Sequence, residues 1–177
     1  MCVIDLSPTL ETRRLLLRAP ALTDAAVITR LCGDADVARN TARIPHPYRR
    51  EDAEAFLERV SWADPRRDPV FIIEHQDEGP VGMIGFHYNG DPWPELGYWI
   101  GKPWWGRGFA TEATQAALDW ASRRWNRRAV MAGHFRDNPA SGAVLTKAGF
   151  LYTGEIRSMD SLARGEPVEV RMMVWLA

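Results

Sequence analysis

The sequence is short of cysteine, of lysine, of long apolar runs and of any excess charge of one sign, and each shortage excludes a class of function. Two cysteines, Cys2 and Cys32, make no disulfide framework, and neither belongs to a C-x-x-C pair, so a reducing cytoplasm is the expected compartment. Lys plus Arg is 22 and Asp plus Glu 23, a formal net charge of −1, so nothing drives the chain as a whole onto DNA or an anionic membrane. No apolar run approaches the ~20 residues of a membrane span. Met1 to Arg14 carries Asp5 and Glu11 and has no basic region followed by an apolar core, so no signal peptide is expected. The histidines His46, His75, His87 and His134 show no ligand spacing with one another or with the cysteines, and no metal site is expected. A G-x-S-x-G elbow is missing as well, which removes serine-hydrolase chemistry. There is no internal repeat and no low-complexity linker, and 177 residues suit one domain spanning 1–177.

What is present is an ordinary globular mixture, 46% hydrophobic and 25% charged, with a heavy load of eight tryptophans that predicts a core or cleft lined by large rings. Residues 13–19 read as a strand closed by Pro20, and Thr23-Asp24 as the cap of a helix whose apolar face is Ala26, Ile28 or Val27, and Leu31. A second helix runs over 51–62. Residues 70–75, 81–88 and 96–100 are three β-rich runs separated by Asp77-Glu78-Gly79-Pro80 and Asn89-Gly90-Asp91-Pro92, hairpin-length turns that make them antiparallel neighbours. The longest helix is expected over 109–125, followed by a strand at 129–134, a helix at 138–148 and strands at 150–157 and 168–175. The expected fold is α/β in the α+β sense: a mixed, mostly antiparallel twisted sheet with helices on both faces.

The chemistry concentrates in Leu96-Gly-Tyr-Trp-Ile-Gly-Lys-Pro-Trp-Trp-Gly-Arg-Gly-Phe-Ala-Thr-Glu-Ala113, a strand, a glycine loop and an Ala-rich helix. Gly106 and Gly108 leave the backbone unshielded, and the helix N-terminus adds unpaired N–H donors and about half a positive charge, an arrangement suited to phosphate. The loop lacks the Lys-Ser/Thr of a nucleotide-hydrolysing P-loop, and Thr111 stands where a dinucleotide fingerprint needs its third glycine. About 30 residues on, by the spacing expected of one further strand, comes Asp137-Asn138-Pro139-Ala140-Ser141 through Gly149-Phe150. Asn138 is there a helix cap, Pro139 the first helical residue and Gly149 the terminator.

Together, in this order, the two segments resemble the GNAT superfamily of N-acetyltransferases, and the stretches LETRRLLLRAPALTDA, ELGYWI and GRGFATEA look like its branch of ribosomal-protein N-terminal acetyltransferases, RimJ and RimL. The resemblance runs from Leu10 to Trp175. It implies a central parallel strand pair that splays to admit the pantetheine of acetyl-CoA, formed here by 96–100 and 129–134. It further implies that Trp105, Gly106, Arg107, Gly108, Phe109, Ala110 and Thr111 hold the pyrophosphate, that backbone groups near Trp99 and Ile100 meet the pantetheine amides, and that Asn138 and Ser141 line the opposite wall. Two residues depart from the family pattern. Trp105 replaces the usual Gln or Arg, and Leu145 occupies the place where many members carry a proton-donating Tyr, a departure shared by the RimJ/RimL branch.

Acetyl transfer from a thioester to a primary amine in a ternary complex needs a base for the ammonium, a donor for the oxyanion and a proton for the leaving thiolate. Glu95 is the first candidate for the base and Ser141 for the group that steadies the sulfur. His134 and Tyr98 are secondary candidates, while Glu112 reads as a carboxylate complementing the helix dipole. The Arg123–Arg128 run lies at a helix end, where arginines favour the negative dipole, and reads as a solvated face. The acceptor is expected to be a protein N-terminus or a small amine, framed by residues 39–48 and a loop at 159–167, with Trp62 or Trp93 as a lid. Exposed tryptophans also suit a homodimer. The competing reading is a non-catalytic acyl-CoA-binding or sensing module.

Overall fold

The computed structural model describes residues 8–177, so Cys2 lies outside the described residues. One mixed sheet of eight strands carries the chain: β1 (Leu10–Glu11), β2 (Leu15–Arg18), β3 (Val70–His75), β4 (Gly79–His87), β5 (Glu95–Ile100), β6 (Ala129–Phe135), β7 (Leu151–Ser161) and β8 (Glu166–Leu176). Their order is β1-β2-β3-β4-β5-β6-β8-β7, and every neighbouring pair is antiparallel except β5 with β6. The helices are α1 (Ala25–Cys32), α2 (Ala35–Ala38), α3 (Arg50–Trp62), α4 (Phe109–Arg123) and α5 (Pro139–Lys147).

Alternation along the strands sends side chains to two apolar layers. Phe71, Ile73, Ile84, Phe86, Leu96 and Ile100 pack against Phe109, Ala113, Ala117 and Ala121 of α4 and Leu145 and Ala148 of α5. On the other face Ile72 and Met83 meet Ala25, Ile28 and Cys32 of α1 and Ala53 and Leu57 of α3. Five of the eight tryptophans join the first layer, where Trp120 stacks on Trp125 with ring centres 5.5 Å apart and both touch Phe86. Asp24 stands at the start of α1 as expected, but its carboxylate turns back to the Ala21 N–H and to a forked contact from Arg18.

Two local details need correction. The four-residue α2 has no counterpart in the sequence reading, being too short for a periodic signal. The segment expected as a loop at 159–167 is mostly strand: β7 and β8 pair from Met159↔Val168 to Ser161↔Glu166, and only residues 162–165 turn. Its polar residues mislead because β7 is the edge strand and the part of β8 paired with it there runs beyond the end of β6, so water replaces packing on both.

Candidate active site

Sequence at the β5–α4 junction forces an open anion cradle. Gly106 and Gly108 both have positive φ, 75° and 80°, which a side chain resists and glycine accepts. Gly108 is the N-cap of α4, so no side chain caps this helix, and the first bond of the helix runs from the Glu112 N–H to the Gly108 carbonyl at 3.0 Å. The N–H groups of Phe109, Ala110 and Thr111 are thereby left as donors at the positive end of a 15-residue helix. A Cβ at Gly106 would meet nothing within 4 Å, which is what an unshielded backbone requires.

Behind the cradle lies a contact set that sequence spacing conceals. Glu112 is more than a complement to the dipole. Its Oε1 accepts from the Thr12 hydroxyl at 2.7 Å and the Arg14 N–H at 2.9 Å, and its Oε2 accepts from Arg14 Nε at 2.8 Å. Arg14 in turn donates through Nη1 to the Arg107 carbonyl at 3.1 Å. These hydrogen bonds hold the Glu112 carboxyl below its ordinary range against the opposing effect of burial. The partners are about a hundred residues apart in sequence, out of reach of any local pattern.

The splay is visible in the register. β5 pairs with β6 only at Glu95↔Met131 and Leu96↔Ala132, while its other edge stays paired with β4 out to Ile100↔Gly82. The Gly101 N–H donates to the Val81 carbonyl at 2.8 Å, which fixes the alternation of the ladder. Backbone groups of Trp99 therefore face Met83 on β4, and those of Tyr98 and Ile100 face the gap toward β6. The expectation of Trp99 and Ile100 as the gap-facing pair is corrected to Tyr98 and Ile100. One of these groups has a partner already: the Trp105 indole N–H donates to the Ile100 carbonyl at 2.6 Å.

Across the gap, α5 begins as the sequence predicts, with Asn138 as N-cap accepting from the Ser141 N–H at 3.2 Å and Pro139 in the first turn. The Ser141 hydroxyl lies 2.9 Å from the Tyr98 hydroxyl, whose ionisation burial pushes up to about 12. Tyr98 is therefore a neutral phenol at physiological pH, and the structure brings it together with Ser141. Leu145 is 1% exposed and belongs to the α4-side core. His134 is buried rather than a surface histidine: Nδ1 donates to the Phe135 carbonyl at 2.8 Å, and Nε2 pairs with the Tyr152 hydroxyl at 2.9 Å.

Glu95 sits on the opposite face of β5, directly across from His87 on β4. It is 9% exposed, and burial raises its carboxyl above the ordinary range, opposed by the Asn89 hydrogen bond and by the Arg157 and Arg43 charges. Asn89 is the hub that sequence reasoning took for simple turn punctuation. Its amide nitrogen donates to Glu95 Oε2 and lies against His87 Nε2, both at 3.0 Å, while its oxygen accepts from Arg43 at 2.8 Å. Burial pushes the His87 imidazole down to about 4, so it is neutral and serves as an acceptor here. Gly97, between Glu95 and Trp99 on the same face, leaves this side of β5 open: an added Cβ would meet only His87 Cε1, at 3.8 Å. The segments expected to frame an acceptor do meet. The Leu162 N–H bonds to the Ala42 carbonyl at 3.0 Å and Arg164 Nε to the Arg39 carbonyl at 2.8 Å. Trp62 is 84% exposed and Trp93 is exposed as well, and neither closes a lid. Among the described residues no cluster of His, Cys, Asp or Glu could hold a metal ion, and no helix is long and apolar enough to cross a membrane.

Comparison with known proteins agrees with this geometry. A family model described as the acetyltransferase (GNAT) domain matches residues 14–151. An uncharacterized N-acetyltransferase, p20, from Bacillus licheniformis is 29% identical over 170 residues, 93% of each chain. Among solved structures, RimL, the ribosomal L7/L12 α-N-protein acetyltransferase in complex with coenzyme A, superposes with a TM-score of 0.83 at 18% identity, covering 96% of this chain and 98% of that one. Spermidine N-acetyltransferase from Vibrio cholerae, in complex with CoA and spermine, gives a TM-score of 0.77 at 18% identity over 93% and 96% of the two chains. The last two likenesses speak for the fold.

Proposed function

From the premise that this chain belongs to the GNAT acetyltransferase family, we propose that it is an acetyl-CoA-dependent N-acetyltransferase whose acceptor is the α-amine of a polypeptide, in the manner of the RimJ/RimL branch. The observation that carries the reading is the placement of Glu95 and Ser141 on opposite faces of β5 where it parts from β6. The α4–α5 face holds the cofactor: Gly106 to Thr111 take the pyrophosphate on backbone N–H groups, Trp105 braces the loop, and Tyr98 and Ile100 offer gap-facing amides to the pantetheine. Asn138 and Ser141 line the far wall.

The thioester carbonyl then emerges through the gap beside Glu95. A buried carboxylate with a raised pKa is a better base than a solvated one, and an α-amine near ~8 asks less of it than an alkyl amine near ~10. Glu95 takes the ammonium proton, directly or through a water, and the free amine attacks the carbonyl carbon. An N–H at the gap stabilises the oxyanion. The C–S bond breaks, and the proton that the attacking nitrogen sheds on becoming an amide passes through the Ser141 and Tyr98 hydroxyls to the thiolate, which leaves both hydroxyls neutral. Both signs of charge surround the acceptor side, with Arg157 bonded to Asp91 and Arg43 on Asn89. That lining favours a peptide end over a polyamine, which demands uniform acidity. The spermidine enzyme's acceptor is the comparison case. The reading takes the chain as one cytoplasmic RimJ/RimL-like domain, and exposed Trp62 and Trp93 favour a homodimer.

Titration with acetyl-CoA and CoA, followed by thiol-release assays on N-terminal peptides and on spermidine, tests the reading. Micromolar CoA binding is expected, together with turnover on peptides. Glu95→Gln should lower turnover ~10²-fold, in line with removal of a general base, with CoA affinity unchanged. An intact CoA site with no turnover on any amine would mean a sensing module instead.

A further inference from the structure

The pyrophosphate cradle is built from backbone, and a backbone cradle works only if its peptide planes face the right way. In a trans peptide the C=O of one residue and the N–H of the next point in opposite directions. Holding the Arg107 carbonyl therefore sets the direction of the Gly108 N–H. Gly108 has positive φ and no side chain to restrain it, so nothing local fixes that plane.

Resting on the cofactor site proposed above, we infer that Arg14 is a positioning residue that contacts the loop and not the cofactor: its guanidinium pins the Arg107 carbonyl and so turns the Gly108 amide toward the cradle. The geometry supplies each link. Nη1 reaches the Arg107 carbonyl at 3.1 Å, while Nε and Nη2 fork onto Glu112 Oε2 at 2.8 and 2.7 Å. Glu112 is itself fixed by Thr12 and by the Arg14 N–H, so the fork is anchored at both ends. The Arg14 guanidinium also lies over the Phe109 ring, 4.7 Å from its centre, which keeps its plane in register with the first residue of α4. A planar fork is needed for this double duty. A lysine ammonium reaches Glu112 but has no second arm for the Arg107 carbonyl.

The test compares wild type with Arg14→Lys and, as a second variant, Glu112→Gln, using CoA as the probe for the diphosphate and pantetheine as the probe for the gap alone. Calorimetry is expected to show CoA binding weakened about 10-fold in Arg14→Lys, with pantetheine affinity unchanged and the melting temperature nearly that of wild type. In nitrogen-15 spectra the Gly108 amide should shift on CoA addition in wild type and respond far less in the variant. Glu112→Gln should weaken CoA by a smaller factor in the same selective way. Wild-type CoA affinity in folded Arg14→Lys overturns the inference, and so does an equal loss for both probes, which marks Arg14 as a support of the fold only. Should the wild type bind no CoA, the proposed function itself falls, and this inference with it.

Discussion

Glu95 is held where water would not have put it, and its ionisation works against folding. Because the folded state raises its pKa above the ordinary 4.5, the folded chain binds the proton more tightly than the unfolded one does. Stability from this residue is present at low pH and is lost as pH rises through the raised value. Replacing the carboxylate by an uncharged amide of the same shape removes that loss. Glu95→Gln is therefore expected to melt higher than wild type at pH 7, by a few degrees for ~1 kcal/mol in a chain of this size, and to differ little at pH 4. Thermal unfolding at the two pH values checks it; a variant that melts lower at pH 7 contradicts the burial argument.

At the scale of elements, the parting of β5 and β6 depends on β5 staying on β4. The closest approach is at Gly82, where an added Cβ would lie 2.2 Å from the Trp99 carbonyl oxygen and 3.0 Å from the Ile100 Cα. Gly82→Ala must push β5 away from β4, and the expected result is a loss of at least ~1–3 kcal/mol, as for overpacked cores, read as a lower denaturation midpoint. A wild-type midpoint would show that the two strands have slack. Legibility in the sequence follows the same division between local and distant. The order of long strands and helices was readable because their side chains alternate or recur with a period set by one packed face. The glycine loop and the Asn138 cap were readable because their backbone needs particular residues. Three features were not. Arg14–Glu112 joins distant segments. Tyr98–Ser141 depends on how far the parallel strands separate, which no short pattern encodes. Asn89 looks like an ordinary residue of an Asn-Gly turn until Glu95 and Arg43 are seen on either side of its amide.

Considered whole, the molecule brings no thiol to the parting strands among the described residues. Cys32 is the described cysteine and lies buried between α1 and α3, where burial pushes its thiol up to about 12. The proposed direct transfer from donor to acceptor, with both bound, makes a kinetic prediction. Initial-rate measurements with both substrates varied should give intersecting double-reciprocal lines, and mass spectrometry after acetyl-CoA alone should find no acetylated protein. Parallel lines with a stable acetyl adduct would point to a covalent route. The short β5–β6 pairing has one more consequence. β1 to β5 come from residues up to 100 and β6 to β8 from residues 129 onward, so this short seam in the middle of the sheet coincides with a division of the chain itself. The protein is mechanically two wings stitched by two paired residues on each strand and by the helices that cross between them. Anything lodged in the seam acts as a strut between the wings, and its departure returns to them the freedom to flex.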